Sequence, residues 1–266
     1  MLNDLYTKLN DLYTKMELRC YPKFMARRLT NLVNELTENH VHCVGNFLNM
    51  LSSRIENRQD YLDILMEGRF AVILARHGFT EIRLECSKRK KGPDIVAVYN
   101  GEIVNFEITR RRPNECESRL AEQGVAQFVE PDKKQNIVSK ILDEISQLPE
   151  EEINVVVLWS DTIRLGVSEV KEAFRLICKE IENQPSMHHR LSAVLFTEGS
   201  VDMVTGKQFH LFLNKHASRR VPDDIAQTLQ TLIENSLTQL QQERDNLAKA
   251  LVRRSVSTNG IPFHSL

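Results

Sequence analysis

The sequence predicts an α/β domain with a mixed β-sheet, in which a core of order α-β-β-β-α-β is flanked by N- and C-terminal helices. Three observations lead to this fold class. An Asn-Gly pair divides the segment 92–112 into two halves, which is the strongest short-range signal for a β-hairpin. The run NVVVLWSD at 154–161 is almost continuously apolar, as is typical of a strand buried on both faces. Helices are predicted on either side of these strands, at 58–77 and 167–183.

The N-terminal segment begins with LNDLYTK twice in tandem, and its apolar side chains recur at alternating intervals of three and four residues. This heptad seam consists of Leu2, Leu5, Leu9, Leu12 and Met16. Two heptads are too short for a coiled coil by themselves, so the helix either packs on the body of the protein or joins a homodimer or a helical protein partner. The chain stays helical from 17 to about 57, with a break expected at Pro22.

The remaining elements alternate between helices and strands. The helix at 58–77 ends before Gly78, a common C-terminal stop. After it we expect a strand at 80–86, the hairpin at 92–112, helices at 114–127 and 132–147, a strand at 154–161, a helix at 167–183, strands at 191–199 and 207–214, and a helix at 222–253. These elements divide the chain into an N-terminal helical segment (1–57), an α/β domain (58–215) and a C-terminal helix with a tail (216–266).

The composition is that of a soluble globular protein, with 41% hydrophobic and 27% charged residues in a chain of 266. The net charge is −1, so nucleic-acid binding would rest on local basic patches. The five cysteines are far apart and form no CxxC pair, which indicates neither a structural zinc site nor a disulfide framework. We find no signal peptide and no apolar run of the ~18–20 residues that a membrane span needs, and expect a cytoplasmic protein that does not enter membranes.

The turn fixes the register of the hairpin. Counting outward from the two turn residues, Asn100 and Gly101, places Asp94 opposite Glu107 on one face, with Cβ atoms roughly 4.5–5.5 Å apart. The other face is apolar and is predicted to face the core. It carries Ile95, Ala97, Val104, Phe106 and Ile108.

Two acids directly opposite each other destabilise a sheet unless their charge is offset. Three arrangements remain open: the acids can share a proton, basic side chains can neutralise them, or a divalent cation can bridge them. Basic residues flank this end of the hairpin, namely Lys88, Arg89, Lys90, Lys91, Arg110, Arg111 and Arg112. Such clusters suit either neutralisation of the acids or contact with a phosphate backbone.

The residues GPD at 92–94, followed by the hairpin and EIT at 107–109, resemble the motif of the PD-(D/E)XK nuclease superfamily, which has the restriction-endonuclease-like fold. The α-β-β-β-α-β core of that superfamily agrees with the order predicted above. The resemblance covers about residues 58–200, and the helical ends lie outside it.

The resemblance implies a metal site that holds Mg²⁺ or Mn²⁺. Asp94 and Glu107 occupy the positions of the two metal-binding acids, and the backbone carbonyl of Ile108 would be a further ligand. A glutamate on the helix before the first strand often joins such a site. Glu67 matches that place, on one stripe of the predicted helix.

The sequence departs from the superfamily at Thr109, where a lysine normally positions the attacking water and stabilises the transition state. The apolar stripe of the helix 132–147, extended back by one turn, reaches Lys134. An ammonium group in the first turn of a helix needs an anionic partner. Some superfamily members carry the lysine on this helix, so Lys134 is the expected substitute. Lys133 and Lys140 lie to one side of the stripe and are the next candidates.

These features predict a Mg²⁺-dependent nuclease that hydrolyses phosphodiester bonds, in DNA more than in RNA, with Asp94, Glu107 and Lys134 as catalytic residues. The basic segments at 88–91 and 110–112 would contact the nucleic-acid backbone. The missing strand lysine leaves a second hypothesis open: a catalytically inactive nuclease fold that acts as a nucleic-acid-binding or scaffolding module. The sequence has neither a P-loop nor a GxSxG motif, which argues against nucleotide-driven motors and α/β-hydrolases.

Overall fold

A mixed β-sheet with helices on both faces forms the protein. The computed structural model has seven helices and a six-stranded sheet within the residues that it describes, which are 2–19, 21, 23–85, 92–112, 134–145, 148–160, 165–183, 189–198 and 209–232. The predicted α/β class with a mixed sheet is therefore confirmed. The expected helix at 114–127 and the expected helix beyond 232 lie outside these residues.

The elements follow the predicted order. The helices are α1 (Leu2–Leu18), α2 (Lys23–Glu38), α3 (Val44–Arg54), α4 (Arg58–Arg76), α5 (Lys134–Ile145), α6 (Val167–Asn183) and α7 (Asp223–Thr231). The strands are β1 (Thr80–Leu84), β2 (Ile95–Tyr99), β3 (Glu102–Arg111), β4 (Ile153–Ser160), β5 (Ala193–Glu198) and β6 (His210–Leu213).

The strands lie in the sheet in chain order, β1-β2-β3-β4-β5-β6. The pairs β1–β2, β2–β3 and β5–β6 are antiparallel, whereas β3–β4 and β4–β5 are parallel. Because β3 pairs with β2 on one side and with β4 on the other, it lies inside the sheet. All eight residues of β4 are buried, as its apolar run predicts.

The hairpin register is confirmed. Asn100 and Gly101 have φ angles of 49° and 85°, and positive φ at both turn residues is the requirement of a type I′ turn. The paired residues run from Tyr99 opposite Glu102 to Ile95 opposite Phe106. The turn therefore determines which side chains of β2 and β3 share a face.

Two hydrophobic clusters cover the two faces of the sheet. One contains residues of α1–α4 together with the apolar face of the hairpin, including Ile95 and Phe106. The other contains residues of α5 and α6 with Val156 and Leu158 of β4. Since successive side chains of a strand point to opposite faces, Phe106 lies on the α4 side and Glu107 on the α5 side.

The N-terminal helices pack on the same core as the sheet. Leu9, Leu12 and Met16 of the heptad seam are buried at 3% exposure or less, within the cluster that also contains residues of α3 and α4. Of the two arrangements expected for α1, the structure has the helix packed on the body of the protein, which leaves these seam residues covered by the chain itself.

Helix α4, which carries Glu67, has clear signals at both ends. The Asn57 side chain caps it by accepting hydrogen bonds from the backbone N–H groups of Gln59 and Asp60. At the other end Gly78 has φ 88°, the left-handed conformation that glycine commonly supplies after a helix. The predicted bounds of 58–77 are therefore correct to within one residue.

The segment just before α3 makes two contacts that the sequence did not indicate. Cys43, just before α3, takes part in a disulfide bond, which the wide spacing of the cysteines did not predict. The neighbouring His42 forms a parallel bridge with Arg83, so the fold brings this segment against β1 although the two are far apart in sequence.

None of the described helices is long and apolar enough to cross a membrane.

Candidate active site

At the open end of the hairpin, the carboxylates of Asp94 and Glu107 each accept a hydrogen bond from a backbone N–H of the opposite strand. Asp94 Oδ2 accepts a hydrogen bond of 2.7 Å from the backbone N–H of Ile108. The Glu107 carboxylate in turn accepts one from the backbone N–H of Asp94. The Asp94 carbonyl also accepts from the N–H of Glu85, just after β1, at 2.8 Å. Three neighbouring strands therefore fix the position of the acid pair.

The environment of this pair favours the protonated carboxyl groups. Burial raises the pKa of Asp94 to about 7, against the lowering effect of the hydrogen bond from Ile108 N–H. Burial raises the pKa of Glu107 to about 9, and the nearby carboxylates of Asp94 and Glu144 add to the rise. Without a cation, the site therefore disfavours ionisation of both acids.

Glu67 of α4 belongs to the same group of acids, as the resemblance implies. Its side chain is buried, and burial raises its pKa well above the usual range. The carboxylates of Asp94, Glu85, Glu107 and Asp63 raise the pKa of Glu67 further, in that order. A glutamate on the buried stripe of α4 is thus close enough to the hairpin acids to be influenced by their charges.

Three further acids were not among the sequence candidates. Glu144 of α5 hydrogen-bonds to Glu107 and acts on Asp94 as well. It lies three residues after the buried Ile141, next to the apolar stripe of the helix, so the helical period places it on the side that faces the sheet. Asp63 lies one helical turn before Glu67, and Glu85 directly follows β1. Only tertiary packing brings these two close to the pair.

Thr109, at the position of the missing lysine, is buried at 4% exposure. It shares the face of β3 that carries Glu107, and its short side chain brings no positive charge to the acids. Ile108 contributes its N–H to Asp94, while the role of its carbonyl as a ligand stays a prediction.

Lys140 lies close to two of the additional acids, Glu144 and Asp63. Its Nζ donates a hydrogen bond of 2.6 Å to the backbone carbonyl of Arg110. Burial lowers the pKa of Lys140, and the carboxylates of Glu144 and Asp63 oppose this change. Lys134 is the first residue of α5, but its side chain lies outside the described part of the structure, so its proposed role stays a prediction.

Arg110 does not lie on a surface that could contact nucleic acid. Its side chain is 1% exposed, and its Nε donates to Asp63 Oδ1 at 2.5 Å. One terminal nitrogen donates to the backbone oxygen and to the side-chain oxygen of Gln59, at 3.0 and 2.5 Å. The expectation that Arg110 contacts phosphates is therefore wrong, because alternation along β3 turns this side chain under α4.

The other arginines of the triplet are more accessible. Arg112 is 44% exposed and forms ion pairs with Asp60 and Asp63 of α4. Arg111 donates to the backbone carbonyl of Arg112 and is only partly buried. The lysines and arginine at 88–91 lie outside the described residues, so contact of all these residues with nucleic acid stays a prediction.

The donor set suits a hard divalent cation. Carboxylate oxygens are the ligands that Mg²⁺ and Mn²⁺ prefer, and a cation would offset the mutual repulsion of the acids. Within the ranges that the structure describes, no group of three or more His, Cys, Asp or Glu side chains already has an arrangement that could hold a metal ion.

Comparison with known proteins does not assign the chain to a family. No family model, no curated protein and no solved structure matches it. The resemblance to the PD-(D/E)XK superfamily therefore rests on the motif residues, the hairpin and the element order described above.

Proposed function

We propose that this protein is a Mg²⁺-dependent nuclease of the PD-(D/E)XK type, which hydrolyses phosphodiester bonds in DNA more readily than in RNA. The observation that carries this proposal is the pair formed by the partly buried Asp94 and the buried Glu107, each held by a backbone hydrogen bond from the opposite strand and joined by the buried Glu67. Three carboxyl groups whose pKa values are raised by burial and by one another are typical of a functional site. Binding of a divalent cation would explain why these three groups lie together.

The element order supports the same proposal. Helix α4, strands β1, β2 and β3, helix α5 and strand β4 follow one another in the order of a restriction-endonuclease-like core. The acid pair lies where the hairpin of β2 and β3 opens. In such a core, α4 and α5 would approach the same site from the two faces of the sheet.

Each group has a distinct role in the proposed reaction. Asp94, Glu107 and the Ile108 carbonyl would hold the ion, with Glu67 and Glu144 as additional carboxylates. When bound, Mg²⁺ lowers the pKa of a water molecule and polarises the phosphate group. Lys140, rather than Thr109, would supply the positive charge that stabilises the transition state.

The substrate would be held through its phosphates. Arg111 and Arg112 follow the acid pair on β3, and the basic residues 88–91 precede it in the sequence. Contacts from such side chains to the backbone position a nucleic acid without reading its sequence. The proposed enzyme would therefore show strong dependence on salt concentration and little base preference.

The second candidate is an inactive nuclease fold that binds nucleic acid or acts as a scaffold. One observation favours it: Thr109 occupies the lysine position and is buried, so this strand position brings no positive charge to the acids. Under this alternative the chain would bind nucleic acid but would not cleave it in the presence of any divalent ion.

A nuclease assay with purified protein distinguishes the two. Single-stranded and double-stranded DNA and RNA are incubated with Mg²⁺, Mn²⁺ or EDTA, using wild type, Asp94→Asn, Glu107→Gln and Lys140→Met. We expect cleavage of DNA that needs the ion and falls by about 10²-fold or more in the two acid variants, because each removes a charge that holds the ion. Lys140→Met should lower the rate by about 10²–10³-fold, as loss of an electrostatic donor does.

Glu102→Gln serves as the matched control. Glu102 lies on the same strand but at the turn end of the hairpin, where it pairs with Arg219 at 2.6 Å. Its loss should leave cleavage unchanged. Cleavage that survives both Asp94→Asn and Glu107→Gln would contradict the proposed site. Binding of nucleic acid without cleavage in either ion would establish the inactive module instead.

A further inference from the structure

Arg110 connects the three elements that carry the candidate acids. Its backbone belongs to β3, where it is paired with Trp159 of β4. Its guanidinium group binds Asp63 and Gln59 of α4, and its carbonyl oxygen accepts the hydrogen bond from Lys140 of α5. A single residue thus contacts the helix of Glu67 and the helix of Glu144 from the strand of Glu107.

The burial of this side chain makes the connection specific. A guanidinium group stays charged at every physiological pH, so a side chain at 1% exposure requires fixed partners. Its planar fork reaches Asp63 Oδ1 through Nε and Gln59 through a terminal nitrogen, so it connects β3 to two residues that are one turn apart on α4. Asp63 and Glu67 are one turn apart and share a face of α4, so fixing the first also fixes the second.

We propose that Arg110 is the positioning residue of the acid site: through Asp63 and Gln59 on one helix and Lys140 on the other, it holds the helices that carry Glu67 and Glu144 beside Glu107, so that these carboxylates can act on one cation. This inference rests on the proposed cation site. It assigns Arg110 a role that differs both from phosphate contact and from simple neutralisation of the acids.

The direction in which Mn²⁺ affinity changes when Arg110 is removed distinguishes a positioning role from simple neutralisation of the acids. A positive charge next to a cation site repels the cation, so removing a charge that only neutralises acids should tighten binding of Mn²⁺. Removing a positioning residue should weaken it, because the carboxylates are no longer held together. Residues that orient metal ligands from outside typically change metal affinity by about 10–100-fold.

The test is calorimetric titration of Mn²⁺ into the full chain, with the fold of each variant checked by circular dichroism. We expect Arg110→Met to lower the Mn²⁺ affinity by about 10–100-fold. Arg76→Met is the matched control: it removes an arginine charge and an α4 ion pair, to Glu35 at 2.6 Å, at the far end of the helix. The Mn²⁺ affinity of Arg76→Met should stay within about twofold of that of wild type.

A double-variant cycle tests whether Arg110 acts through Glu67. If it does, Glu67→Gln combined with Arg110→Met should bind Mn²⁺ within about twofold of the weaker single variant, because both changes remove the same contribution. Should Arg110→Met fail to fold, Arg110→Lys keeps the buried charge but loses the two-sided fork, and its affinity should fall as well.

The outcomes distinguish the two proposals. If wild type does not bind Mn²⁺, the cation site and this inference are both overturned. If wild type binds Mn²⁺ and Asp94→Asn does not, but folded Arg110→Met or Arg110→Lys binds as tightly as wild type or more tightly, the cation site stands and the positioning role of Arg110 is overturned. Additive effects in the double variant would also contradict it.

Discussion

The pKa values of Asp94 and Glu107 are raised first by burial and only then by neighbouring charges. Sequence reasoning stressed the repulsion between two facing acids, which is the smaller of the two effects. The distinction matters because burial disfavours each charge separately, so removal of one acid does not release the other from its low-dielectric surroundings. A bound cation would offset both the cost of burying each charge and the repulsion between the carboxylates, because it would pair with the ionised groups inside the protein.

Glu107→Gln should stabilise the protein in the absence of metal. The variant replaces a buried carboxyl group with a neutral amide of similar shape, so folding no longer requires burial of a charge or uptake of a proton. We expect the free energy of unfolding in EDTA at about pH 8 to rise by about 1–3 kcal/mol, and the gain to shrink at about pH 5, where the wild-type carboxyl group is protonated.

Urea denaturation at the two pH values measures this change. Mn²⁺ should then stabilise wild type but not the variant, because a ligand that binds only the native state stabilises it by RT ln(1 + [L]/Kd), which vanishes when binding is lost. Glu102→Gln, which loses a partly exposed ion pair, should change stability by no more than about 1 kcal/mol. A loss of stability in Glu107→Gln at both pH values would contradict the prediction.

At the scale of elements, a two-residue turn determines the geometry of the acid pair. The positive φ angles of Asn100 and Gly101 give the twist that matches two antiparallel strands, and the register of β2 and β3 follows from it. A slip of one residue would send Glu107 to the α4 face and Phe106 to the α5 face. The turn is therefore part of the site although it lies at the far end of the hairpin.

Gly101→Ala should destabilise the hairpin through its backbone alone. A Cβ atom at Gly101 would meet nothing within 4 Å, but the φ angle of 85° is one that alanine adopts at a cost of about 1–2 kcal/mol. Gly92→Ala is the control, because a Cβ there also meets nothing within 4 Å and φ lies outside the positive range. Urea denaturation should show the loss for Gly101→Ala and little change for Gly92→Ala; equal effects would contradict this account.

At the scale of the whole molecule, the acid site lies where both hydrophobic clusters meet the sheet. Helix α4 belongs to one cluster and α5 to the other, so Glu67 and Glu144 come from layers on opposite faces of β3. We therefore expect the ionisation state of the acids between these layers to affect their packing. The stability of the fold should then depend on pH and, if the proposed cation site exists, on divalent ions.

Stability without metal should fall as pH rises. Between the ordinary carboxyl pKa and about 9, folded Glu107 keeps its proton while the unfolded chain has lost it, so the unfolded state binds fewer protons and stability decreases with pH. Asp94 contributes in the same direction up to about pH 7. Thermal unfolding in EDTA from about pH 5 to about pH 9 should show a falling Tm.

Divalent ions should flatten this profile, because Mg²⁺ or Mn²⁺ binds the ionised carboxylates and gains strength as pH rises. Asp94→Asn with Glu107→Gln should show a flatter profile in EDTA and no effect of the ions. A Tm that rises with pH in EDTA for the wild type would contradict the assigned pKa directions.

Much of the site could be predicted because it depends on local rules. Strand alternation and turn chemistry gave the pairing of Asp94 with Glu107. Glu67 was selected through the resemblance to the nuclease superfamily, and the helical period placed it on one stripe of the helix. The same period could have placed Glu144 on the side of its helix that faces the sheet. The prediction for Arg110 was wrong because alternation indicates only that a side chain turns to the other face, and does not show that α4 covers that face with Asp63 and Gln59.

By itself, the sequence determined the order of helices and strands, the type I′ turn and the faces of the hairpin, because these follow from contacts between residues close together in the chain. The tertiary structure alone decided that Lys140 reaches the carbonyl of Arg110, that Arg110 is buried against α4 and that α1 packs on its own chain. The physical reason is that the rotation and height of a helix on a sheet result from the packing of many distant side chains at once, which no local period specifies.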